Sequence, residues 1–184
     1  MQIPSNQNSL QNSFSDPQKI VSDEISAFES ALAKNHPISD KDFQNYENTL
    51  NSSGAPSNQT SSIVCQMNYI NHLPYNSDLQ NNGLTLLGAM ENAPDIQLFS
   101  SDWNFSHEIS GIMALAQTNP PDYAQVKKCL DVLKSLVENS GVSSNFKSAV
   151  CQQVSDLSSM VNPNNGNFPE NFTKGLWALY QMSS

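Results

Sequence analysis

Arginine is absent from this chain; all eight basic residues are lysines. Charge of either sign is scarce, at 14% of residues against about 25% in ordinary globular domains. What charge there is leans acidic, with a formal net charge of −9. Nucleic-acid binding draws on clustered cations for the phosphate backbone and on bidentate Arg for base edges. The only adjacent basic pair is Lys127-Lys128, so a nucleic-acid partner is excluded. An anionic membrane surface is disfavoured on the same ground, and phosphate clamps that require Arg are ruled out. No stretch approaches the roughly eighteen apolar residues of a spanning helix, so no membrane-spanning segment is expected.

Glycine is also sparse, 7 of 184 residues, and none falls into GxGxxG or GxxxxGK[ST], which leaves no phosphate-cradling loop. The three cysteines, Cys65, Cys129 and Cys151, form neither a disulfide framework nor a zinc spacing. The His107-Glu108 pair begins HEISG, but a zinc-protease helix needs a second His at position 111, which is Gly. Pairing Cys65 with His107 or His72 would make a nucleophile in principle, yet Cys65 follows Ile63-Val64 in an apolar helical stripe and reads as core. No catalytic residue, cofactor or metal site is expected.

Polarity comes from amides and hydroxyls: 28 Ser, 23 Asn and 14 Gln. The first sixteen residues, MQIPSNQNSLQNSFSD, have neither the basic start nor the apolar core of a secretory signal peptide. They read as a disordered leader over residues 1–16, either a plain tail or an uncleaved export signal.

Beyond the leader the periodicity is helical throughout. Ile20, Val21, Ile25, Phe28 and Leu32 make one stripe, with Ser15 or Asp16 as a cap and Pro17 in the first turn. Ser39 opens a short helix carrying Phe43, Tyr46 and Leu50. These two predict an N-terminal hairpin over 17–51, joined by a linker at 52–59 to a helical domain over 60–184. The hairpin is free, on this reading, to pack separately or to move. Asn81-Asn82-Gly83 reads as a turn before a short helix through Leu84 to Met90 that Asn92-Ala93-Pro94 ends, and Asp95 to Phe99 reads as a brief extended piece or the approach to the next helix. Residues 35–50 and 71–86 match at seven positions under an offset of 36, including Asn35-His36 with Asn71-His72, a period that suits a helical repeat.

The strongest pattern is Pro120 to Val161, two helices hinged at Ser140-Gly141. Tyr123, Val126, Cys129/Leu130, Leu133 and Leu136/Val137 stripe the first, and Phe146, Val150, Val154, Leu157 and Met160/Val161 stripe the second. The short connection predicts an antiparallel hairpin, with Cys129 and Cys151 at nearly the same height. A last helix, from about Pro169 to Met182, bears Phe172, Leu176, Trp177 and Tyr180. The expected fold is therefore all-α, a six- to seven-helix bundle around a central antiparallel helical hairpin.

In layout, Asp122 through Leu157 resembles the C-terminal helical region of EspA/SseB-type secreted filament proteins, and the acidic, Arg-free chain with its polar leader looks like a type III secreted protein. That resemblance implies export without a cleaved signal peptide and a non-enzymatic role in protein–protein interaction or self-assembly. The contacts would run through apolar faces of the terminal helices: Phe172, Leu176, Trp177 and Tyr180 at one end, Ile25 and Phe28 at the other. The alternatives are an intracellular, cytoplasmic helical adaptor or chaperone-like module and, further off, a Cys-dependent effector enzyme.

Overall fold

A computed structural model describes residues 16–184. The leader expectation, apart from Asp16, lies outside the described residues. Among those residues the chain is all-helical, with nine α-helices where six or seven were expected. They are α1 (Pro17–Lys34), α2 (Asp40–Ser52), α3 (Ser57–Asn71), α4 (Asp78–Ala89), α5 (Ala93–Ser101), α6 (Trp103–Ala116), α7 (Tyr123–Glu138), α8 (Ser144–Ser159) and α9 (Glu170–Met182), with a 3-10 turn at Pro163–Asn165.

The extra count comes from short elements that the breakers partition rather than abolish. Pro94 does not merely end α4; it sits in the first turn of α5, where its missing N–H costs nothing. Asn81-Asn82-Gly83 lies inside α4 rather than in a turn. Gly83 is needed for closeness: a Cβ there would lie 2.9 Å from Ile70 Cγ1. Side chains cap the helices where hydroxyls and carboxyls precede apolar stripes: Asp16, Ser39, Ser77, Asp102, Asp122 and Ser143 each accept from a first-turn amide.

The central hairpin forms as α7 and α8. Val126, Leu130, Leu133 and Val137 are buried, as are Phe146, Val150, Val154 and Leu157. Lys147 Nζ donates to the carbonyls of Glu138 (2.9 Å) and Ser140 (3.1 Å), closing the α7 end with a cation. The two thiols are free and face different neighbours. Cys151 Sγ lies 3.9 Å from the Lys134 carbonyl on α7, whereas Cys129 takes a contact from Gln125 on its own helix.

The segment 52–59 is not an open linker. Only Ser53 to Pro56 separates α2 from α3, Gln59 is fully buried, and one apolar cluster runs from Val21 and Phe28 through Ile63 and Leu86 to Leu179. The N-terminal hairpin is sealed to the rest by amides. Asn71 Oδ1 accepts from Ile38 N (2.7 Å) and Asn71 Nδ2 donates to Ile38 O (3.1 Å), both buried. Gln59 Nε2 donates to Met90 O (3.0 Å) and Gln18 Oε1 (3.2 Å). The offset-36 echo does not give equivalent positions: the caps Ser39 and Ser77 are out of step with it, so Gln80 is buried while its match Gln44 is exposed.

The most constrained point is a buried amide pair. Gln66 Nε2 donates to Gln153 Oε1 (2.7 Å) and Gly83 O (3.1 Å); Gln153 Nε2 donates back to Gln66 Oε1 (3.2 Å) and reaches Gly175 O at 3.5 Å. Helices α3, α4, α8 and α9 meet there. A Cβ at Gly175 would stand 2.7 Å from Leu157 Cδ2 and 3.1 Å from Tyr69 Cε2. Gly175→Ala is therefore expected to destabilise by about 1–3 kcal/mol through overpacking. Gly111→Ala, whose Cβ would meet nothing within 4 Å, should instead gain up to about 1 kcal/mol of helix propensity. Urea melts of the two variants check both signs.

Candidate functional site

Four of the six residues expected to form contact faces are core. Ile25 (2% exposed), Phe28 (0%), Phe172 (0%) and Leu176 (1%) face inward because the apolar stripes of α1 and α9 are consumed by α2, α3 and α6. They are unavailable to a partner of the folded chain. Trp177, 45% exposed, and the partly buried Tyr180 remain, stacked on each other at 5.5 Å between ring centroids.

Trp177 borders a cleft where α9 meets α3 and α6. One part, about 200 Å³, is lined by Cys65, Tyr69, Met113, Lys174 and Trp177. A second, about 170 Å³, adds Ala116, Phe168 and Leu176 and shares Met113 and Thr173 with the first. The first part is mainly apolar, with Lys174, paired with Glu170 at 2.8 Å, standing among its walls; Gln117, Asn167 and Thr173 make the second part mixed in character. Sequence reasoning missed Trp103, which opens α6 at 68% exposure with its indole stacked 4.4 Å from His107. The available signal was its place directly after the cap Asp102, off the Phe105–Ile109–Ile112 stripe that α6 buries.

Nothing in the cleft is arranged as an activated nucleophile. Burial pushes the Cys65 thiol up, against the pull of Trp177 beside it, with Glu47 adding to the rise; a thiolate is what nucleophilic chemistry needs. Cys129 and Cys151 are pushed up as well, burial being the leading cause in each. His36 stacks against Tyr75 at 5.4 Å and His72 Nδ1 lies 2.7 Å from the Asn68 carbonyl on its own helix. Among the described residues, no three His, Cys, Asp or Glu side chains gather to hold a metal ion.

A polar groove of about 480 Å³ between α4 and α8 is lined by Asn82, Thr85, Asn145, Ser148 and Gln152. Beneath it Asp156, 8% exposed, accepts from Asn82 Nδ2 at 3.2 and 3.0 Å and from Gln152 Nε2 at 3.0 Å. Burial raises its carboxyl above the ordinary range, the two amide donors pull it down, and Asp78 adds to the rise. Tyr69, 1% exposed, has a hydroxyl without a protein partner; burial, and then Asp156, hold it in the phenol form.

Neither a scan against protein-family models nor searches of curated proteins and of solved structures finds a match to this chain. The chemistry of the surface must stand on its own.

Asp156 carries a pH consequence. A carboxyl that ionises less readily folded than unfolded favours the fold in its protonated form. That contribution is complete below the ordinary Asp pKa and is lost as pH rises through the raised value. Relative to Asp156→Asn, the wild-type chain is expected to gain stability as pH falls from neutrality into the mildly acidic range. Urea melts of both chains across pH check the sign; a wild type that loses ground there contradicts it.

Proposed function

We propose that this chain is a non-enzymatic protein–protein interaction or assembly subunit, exported without a cleaved signal peptide. Its contact surface is the cleft where α9 meets α3 and α6, together with Trp103, Trp177 and Tyr180. One observation carries the reading: both tryptophans of the chain stand at the surface, on two of the helices that border the cleft. Tryptophan is costly to leave in water and dominates the energy of protein contacts. The part of the cleft beside Trp177 suits apolar side chains from a protein helix, because Cys65, Tyr69, Met113 and Trp177 dominate its lining.

Two outcomes test the proposal. Trp103→Ala with Trp177→Ala is expected to weaken association by roughly 2 kcal/mol or more, read by light scattering against concentration, with an unchanged helical circular dichroism spectrum. A strictly monomeric chain that captures no partner sinks the assembly reading. Deleting residues 2–16 is expected to abolish export while leaving the purified chain folded; secretion of the deleted chain at the original level would reject the export role of the leader.

A further inference from the structure

The described residues are unevenly charged. From Asp16 to Ser52 there are seven carboxylates against Lys19, Lys34 and Lys41, whereas from Tyr123 to Ser159 four of the eight lysines face three carboxylates. Each of these regions carries a surface feature. Between α1 and α2 runs a groove of about 320 Å³, with Ala27, Ala31, Ile38, Asn45 and Tyr46 among its lining and Glu24 and Asp42 contributing the charge. Both carboxylates act on Tyr46, whose hydroxyl is pushed up first by burial and then by Glu24 and Asp42. On α7, Lys127 and Lys128 are exposed and make no ion pair with any described carboxylate. One turn beyond Lys128, Val132 is 42% exposed, a β-branched apolar side chain left in water.

We infer that the α1–α2 groove of one copy receives the Lys127–Lys128–Val132 face of α7 from a second copy. This rests on the assembly part of the proposed function and adds to the tryptophan-bearing surface a second, charged contact between copies. Lys128 and Val132, four residues apart, lie on one helix face, so a cation and an apolar knob enter together. The groove offers a matching pair of features, carboxylates at Glu24 and Asp42 and an apolar lining with small residues at Ala27 and Ala31. One copy cannot satisfy itself: α1 and α2 pack with α3 and α4, whereas α7 packs with α6 and α8. The two surfaces differ, so the contact is heterologous, and repetition of such a contact builds an open chain of subunits unless the rotation closes a ring. The second copy is favoured over a foreign cationic peptide because the complement is already present on the molecule.

Charge reversal tests the pairing on the full chain. Lys127→Glu with Lys128→Glu, and separately Glu24→Lys with Asn45→Lys, are each expected to weaken association by about tenfold. Asp42 is left intact because its carboxylate accepts from the cap hydroxyl of Ser39 at 2.8 Å, and circular dichroism confirms that each variant folds. An equimolar mixture of the two variants is expected to restore assembly, since each then meets a groove of opposite sign, and high salt should weaken the wild-type contact. Association that ignores both reversals yet falls with the tryptophan variant overturns this interface and leaves the proposed function standing. Loss in each variant without recovery on mixing also overturns it. Monomers under every condition overturn both.

Discussion

The amide pair Gln66–Gln153 fixes the relation of four helices in this fold. A glutamine buried without partners forfeits its hydration, so both side chains must find donors and acceptors in a space that admits no water. They do so with each other and with the carbonyls of Gly83 and Gly175. Apolar side chains slide over one another at little cost, but a reciprocal amide bond holds at one register only. The close approach at both glycines follows from the same requirement.

Amides recur in this role. Gln59 ties α3 to α1 and to the end of α4, Asn71 clamps the loop at Ile38, and Asn82 reaches across to Asp156. The N-cap hydroxyl of Ser143 donates to the buried Asp95 at 2.6 Å, and Ser143 N donates to it at 2.7 Å, so that the starts of α5 and α8 converge. Formal charge contributes little by comparison: the described residues form two ion pairs, each within a single helix at i and i+4. The Asn, Gln and Ser richness of the sequence thus has a partly structural meaning.

The helical class, the caps at the starts of α1 and α2 and most of the burial pattern of α7 and α8 were legible in sequence because each rests on local chemistry. What escaped was long-range. Gly83 reads as a turn residue until Ile70 is seen against it, and Pro94 reads as a stop until the next helix is found to start on it. The contact residues failed for a related reason. Periodicity marks which side chains share a face but not whether another helix of the same chain covers it, and so Ile25, Phe28, Phe172 and Leu176 were counted as surface. Trp103 was open to reading only as the residue left off an otherwise buried stripe.

Both indoles of this protein keep part of the ring in water in the folded state, Trp103 at 68% and Trp177 at 45% exposure. Each also rests on a fixed neighbour, His107 for Trp103 and Tyr180 for Trp177, so unfolding frees the ring from that stack. Occlusion from outside would act on the other side of the same ring: a partner closing over Trp103 or Trp177 would strip away the remaining solvent and shift its emission. The tryptophan fluorescence of this fold thus answers to company as well as to collapse.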